Sequence, residues 1–177
     1  MKNIQSIIRE AENELMSTYS YKNKHLVPTL DKVVIHRGLG EQLVNSAVLE
    51  KTYELFYAIT GQKPVFTRAK KSISNFKLRE GQIVGCKVTL RSKMMINFLN
   101  NLLFLALPKI RDFRGISKRG CDGSGNFSFG IQDDSIFPES NTGLDKLRGM
   151  DITICTTSQS NDELLFYLER IGVPFSR

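Results

Sequence analysis

The sequence predicts an α+β fold: a single domain with about five strands in a largely antiparallel sheet, helices on one face and the other face open. Three observations carry this. The chain has 177 residues, 41% of them hydrophobic, which suits one domain over 1–177 with a buried core. Its strand-like segments are apolar at alternate positions only, as in a sheet covered on one side. Stretches of helical period lie between them, and no internal repeat or linker-like tract divides the chain.

The elements follow in order. Ile4, Ile7, Ile8, Ala11 and Leu15 recur at helical spacing and predict a first helix. In "LDKVVIHRG", Val33 and Ile35 alternate with Lys32, Val34 and His36, a strand ended by Gly38 and Gly40. Val44, Val48, Leu55 and Ile59 mark a second helix, stopped by Gly61 and Pro64. "PVFTRA" reads as a short strand with Phe66 and Arg68 on one side and Val65, Thr67 and Ala69 on the other. In "GCKVTLR", Cys86, Val88 and Leu90 alternate with Lys87, Thr89 and Arg91. Between these two strands runs a long basic loop over 70–84. Ser92 is the expected N-cap of a third helix, Lys93 to Leu107, terminated by Pro108. A Gly-rich basic loop then leads to "NFSFGI", with Phe127, Phe129 and Ile131 on one face, and an irregular stretch leads to "DITICTT". Asn161 is expected to cap a last helix bearing Leu164, Leu165, Leu168 and Ile171, ended by Gly172 and Pro174.

Charge is unevenly placed along this plan. The formal net charge is +7, yet residues 61–93 hold nine Lys or Arg against one acid, Glu80. Residues 109–119 hold Lys109, Arg111, Arg114, Lys118 and Arg119 against Asp112. The rest of the chain is therefore acidic, with a balance of −5. Such clustering repels itself unless something negative lies against it, so an oriented polyanion site is implied. Lys87, Thr89, Arg91 and Arg68, with Lys32 from the first strand, fall on the polar side of the sheet, and no acid sits among these positions. An ordinary solvated face mixes signs, so the pattern favours a nucleic-acid backbone. The loop adds Lys70, Lys71, Lys77 and Arg79, with Ser72, Ser74 and Asn75 as neutral donors. Phe76 is either a stacking ring or a plug that tucks the loop onto the body. Hydroxyls, an aromatic and cations together fit RNA. Mutual repulsion of the loop cations, and the lack of apolar residues to pin them, predict an open, poorly ordered loop in the free protein.

Other classes fit less well. There is no Trp, and the charge lies on strands and a loop, unlike a membrane-surface helix. "FLNNLLFLAL" is too short to span a bilayer. "MKNIQSIIREAENELMS" has three glutamates and reads as neither a secretory signal nor an Arg-rich transit peptide. Cys86, Cys121 and Cys155 lack metal-ligand spacing and imply a reducing compartment. "GLGE" has neither dinucleotide nor P-loop spacing. His36 lies on a polar strand face, where surface or RNA contact is favoured over catalysis. Asp112 and Asp122 hint at a metal-dependent nuclease, but Asp112 between Arg111 and Arg114 fits an ion pair that orients them, and no carboxylates cluster for two metals. No cofactor is expected. The rival reading is a free RNA-modifying or RNA-cleaving enzyme.

"TGQKPVFTRAKKSISNFKLREGQIVGCKVTLR", "LPKIRDFRGIS", "DGSGNFSFGI", "IFPE", "LRGMDITICTT" and "GVPF" occur in this order along the chain. In these blocks the sequence resembles, over essentially its whole length, the family of the fifth protein of the large ribosomal subunit. The resemblance implies an RNA-recognition-like α+β sheet, no enzymatic activity, and a place in the central protuberance beside 23S-type ribosomal RNA and neighbouring proteins. It implies 5S ribosomal RNA as the main partner, with Lys32, Lys63, Arg68, Phe76, Arg79 and Arg91 as contacts. The charge pattern adds His36, Lys70, Lys71 and Lys87. The loop tip, with Ser72, Ser74, Asn75 and Lys77, would reach the P-site transfer RNA. Arg111, Arg114, Lys118 and Arg119 would face ribosomal RNA and the thirteenth protein of the small subunit. The family usually carries Asn where this chain has His36, and an aromatic and an Arg at the positions of Cys121 and Ser124. "IHRGLG" and the abundance of Asn and Ile resemble plastid members, so a chloroplast ribosome is expected, with the bacterial cytoplasm as the alternative.

Overall fold

The computed structural model describes residues 4–40, 46–140 and 149–176. Among these, four α-helices and five strands occur: α1 (Ile4–Thr18), β1 (Leu30–Gly38), α2 (Ser46–Thr60), β2 (Val65–Arg68), β3 (Ile83–Leu90), α3 (Ser92–Asn101), β4 (Asn126–Ile131), β5 (Met150–Thr156) and α4 (Asn161–Ile171). All strand pairings are antiparallel, in the order β2-β3-β1-β5-β4. The expected one-sided sheet is what forms. Val33, Ile35, Cys86, Val88, Leu90, Phe127, Ile152 and Ile154 are buried in one cluster with apolar residues of all four helices. Val44 lies outside the described residues, as does the stretch 141–148 after "FPES".

Several local readings change. Ser92 does not cap α3. Its backbone is left-handed, at φ 48, whereas capping needs an extended residue; Arg91 precedes the helix with no side-chain cap bond. Nor does α3 run unbroken to Leu107. After Asn101 it widens into a π-turn over Leu102–Ala106, then tightens into a 3-10 turn containing Pro108. The wider turn buries Leu102, Leu103 and Ala106 and leaves Phe104 and Leu105 exposed. At α4 the cap is Ser160 rather than Asn161. The extended Ser160 accepts the Glu163 N–H at 3.3 Å, so Ser160 and Glu163 stand at capping-box spacing. In β2, Phe66 pairs with buried Cys86, but a bulge between Thr67 and Arg68 breaks the alternation, so Phe66 and Arg68 do not follow one parity.

Sequence reading missed Arg37. It sits on the inward parity of β1 at 1% exposure, its Nη2 donating to Asp134 Oδ2 at 2.9 Å and its Nε to the Gly149 carbonyl at 3.2 Å. Its guanidinium also lies 5.2 Å from the centroid of the Phe56 ring. One buried cation thus ties β1, α2 and the turn at Asp134 together behind the sheet.

Candidate nucleic-acid interface

The registers lay out the open face as rows across the strands. One row runs Val65, Lys87, His36, Asp151, Gly130, and the next Thr89, Val34, Thr153, Ser128. Lys32 stands opposite Cys155, which stands opposite Asn126. Lys87, Arg91 and Lys63 are exposed and Lys32 half-buried. Ser128 and Thr153 share a hydroxyl–hydroxyl hydrogen bond of 2.9 Å. The rings that an RNA-recognition sheet would offer for stacking point the other way: Phe66, Phe127 and Phe129 pair with Cys86, Ile154 and Ile152 on the core side. This face therefore offers cations and hydroxyls, the groups that meet phosphates and riboses.

The expectation that no acid lies among these cations is corrected. Asp31, at the start of β1, bonds the Arg91 guanidinium and lies 3.8 Å from Lys32 Nζ. Asp151 Oδ2 is 3.8 Å from His36 Nδ1. Exposed pairs of this kind are worth little in stability, so they orient the cations without holding them against a competing phosphate. Arg68 is exposed, and its Nη1 donates to the Gly81 carbonyl at 2.9 Å, at the base of the loop rather than across the face.

The loop between β2 and β3 is built, not open. Its base is closed where Ala69 N–H meets the Gln82 carbonyl at 2.8 Å and Gly81 N–H meets the Ala69 carbonyl at 3.0 Å. Ile73 and Leu78 exchange backbone hydrogen bonds of 2.9 and 3.1 Å around a 3-10 turn at Ser74–Phe76. Lys77 takes the left-handed conformation, at φ 50, that closes the turn. Ser72 Oγ accepts the Glu80 N–H at 2.9 Å, so this serine holds the loop together. Backbone pairing gives the loop a shape despite its charge. Phe76 does not tuck in: at 78% exposure it caps the tip. Lys70, Lys71, Ser74, Asn75, Lys77 and Arg79 are exposed around it.

The second basic patch lines a cleft of about 940 Å³ against β4, where Lys109, Arg111, Arg114 and Arg119 face Phe129 and Asp133. Lys118 turns aside, its Nζ 5.9 Å from the Phe175 ring centroid. Asp112 makes no ion pair among the described residues, correcting the idea that it orients its neighbours. It occupies a turn at φ 52, a conformation Asp tolerates well. Asp122 shapes its own turn. Its carboxylate accepts the N–H groups of Ser124 (2.8 Å) and Asn126 (3.0 Å) and the Asn126 amide (2.7 Å). These bonds, the Asn126 amide first, lower its pKa. Among the described residues no three His, Cys, Asp or Glu gather as metal ligands. The three cysteines are free, and burial pushes the Cys86 thiol up to about 11. No described helix is long and apolar enough to cross a membrane.

Comparison with known proteins bears on this arrangement. Residues 23–79 match the profile described as ribosomal protein L5, and residues 83–175 match the profile for the C-terminus of that ribosomal family. The large ribosomal subunit protein uL5 of Rippkaea orientalis is 50% identical over 163 residues, covering 92% of this chain and 91% of that protein. Its counterpart in Thermosipho melanesiensis is 49% identical over 170 residues, covering 96% and 93%. That of Malacoplasma penetrans is 46% identical over 168 residues, covering 94% and 90%. With two adjoining profiles spanning both basic patches and the sheet, the chain belongs to the ribosomal protein L5 family.

Proposed function

We propose that the chain is a structural, non-enzymatic constituent of the large ribosomal subunit that holds 5S ribosomal RNA on its open sheet face. The observation that carries this is the one-sided sheet. Helices seal one face, and the other presents Lys87, Arg91 and Lys32 with hydroxyls and, among the described strand residues, no Phe, Tyr or Trp, with exposed Lys63 just before β2. His36 lies at the middle of the same surface, Arg68 borders it, and Lys70, Lys71, Phe76 and Arg79 extend it along the loop. The loop tip, with Ser74, Asn75 and Lys77 around exposed Phe76, is our candidate contact for P-site transfer RNA. Arg111, Arg114 and Arg119 in the cleft, with Lys118 beside it, are assigned to 23S-type ribosomal RNA and the thirteenth protein of the small subunit. The relatives named above come from bacteria, and the ribosome is of that type. We read the compartment as a plastid from "IHRGLG" and the Asn- and Ile-rich composition, with the bacterial cytoplasm as the other home. Filter binding tests the reading: purified protein retains 5S RNA in preference to transfer RNA at equal concentration and sediments stably with large subunits. Equal retention of both RNAs, or release from subunits on washing, would remove the 5S assignment.

A further inference from the structure

His36 occupies a made place on the open face. Its side chain is 44% exposed, with Nδ1 3.8 Å from Asp151 Oδ2. The other nitrogen reaches over β3. A Cβ at Gly85 would lie 3.1 Å from His36 Nε2, 3.2 Å from Thr67 Oγ1 and 2.5 Å from the Arg37 carbonyl. Gly85 is itself buried and leaves no room for a Cβ, so the bare backbone there lets the imidazole edge lie over β3 beside the Thr67 hydroxyl.

Among the described strand residues, the charges around this ring are few. Lys87 faces His36 from β3 and Asp151 faces it from β5. β2 contributes Val65 and Thr67 and β4 contributes Gly130, none ionisable, and Val34 is the next outward residue on β1. With the imidazole neutral, the row Lys87–His36–Asp151 sums to zero. With it protonated, the row carries a single positive charge at the middle of the sheet. Imidazole is the side chain whose ordinary pKa, about 6.5, puts that change near physiological pH.

We propose that His36 is a proton-linked RNA contact: the protein takes up a proton at this ring when RNA covers the open face, and binds RNA more tightly as pH falls through the imidazole range. The proposal rests on the open face being the RNA surface. A phosphate beside the exposed ring favours the imidazolium, so by linkage the imidazolium favours the phosphate. An amide at this position gives no such coupling.

The test is the dissociation constant of the full chain for a 5S RNA transcript, at constant ionic strength, across roughly pH 5.5 to 8. Affinity of the unaltered protein rises on the order of three- to tenfold on acidification, as expected for one added cation near the backbone. His36→Asn loses this pH slope whatever its absolute affinity, each variant being compared with itself across the pH range, and His36→Lys is tight throughout. Equal pH slopes for unaltered protein and His36→Asn overturn the proposal while leaving the open-face reading intact. Absence of specific 5S binding at every pH overturns both. Following the imidazole by NMR decides the question without a variant: its midpoint moves up on adding RNA, and an unmoved midpoint overturns the proposal.

Discussion

Arg37 shows what one residue can do unseen. Its partner Asp134 lies 97 positions away. Nothing in "VVIHRGLG" separates a buried arginine from a surface one. Only strand parity puts it on the inner face, where an arginine is rare unless paired. Removing one partner of a buried ion pair strands the other charge and typically costs about 3–5 kcal/mol. Arg37→Met is therefore expected to lower the unfolding free energy by an amount in that range, read as a lower urea midpoint at unchanged slope. Arg37→Met combined with Asp134→Leu should recover much of the loss, because neither charge is then left alone. Urea titrations of both variants measure this, and an equally unstable double variant would mean that packing against Phe56, not the pair, carries the energy.

At the scale of elements, the strands are legible because their alternation reports burial directly. Cys86, Val88 and Leu90 are buried and Lys87 is exposed, as the period of two requires. Val88→Asp places a charge in the core and should unfold the domain, costing more than ~4 kcal/mol. Arg91→Ala removes only the exposed pair with Asp31, so thermal stability should change by less than ~1 kcal/mol while RNA affinity falls. A large loss of stability from Arg91→Ala would contradict the register. The π-turn at Leu102–Ala106 has no sequence signature, since the apolar run "LLFLAL" suits an α-helix equally well. The loop departs from expectation for a similar reason. Side-chain chemistry predicts repulsion, while its order comes from backbone bonds at Ala69–Gln82 and Ile73–Leu78 that composition does not reveal. Because the base is closed independently of the tip, deleting Ser72 to Lys77 should preserve the fold and most 5S RNA affinity. It should weaken retention of transfer RNA in the P site. Parallel measurements of 5S affinity and P-site occupancy check this, and equal losses in both would place the tip in the 5S site.

For the whole molecule, the charge distribution is the property that reaches furthest, and it is readable from composition by segment. What composition does not supply is how many of those cations are available. Arg91 and Lys32 share Asp31, and Arg68 is bound at the loop base. Each must leave its internal partner before it neutralises a phosphate. If roughly half a dozen phosphates are engaged, 5S RNA affinity should fall by ~10³ or more between 50 and 200 mM salt. Asp31→Asn then acts as an internal check. It frees Arg91 and Lys32 from their shared carboxylate and removes a negative charge from the edge of the face, so it should tighten 5S RNA binding at low salt without destabilising the fold. Binding isotherms at several salt concentrations for the unaltered protein and Asp31→Asn measure both effects. A salt plot near zero slope would defeat the electrostatic account of the interface. Unchanged affinity in Asp31→Asn, with a steep slope retained, would place the RNA along the Lys63, Lys87 and loop side of the sheet and away from the Arg91 corner.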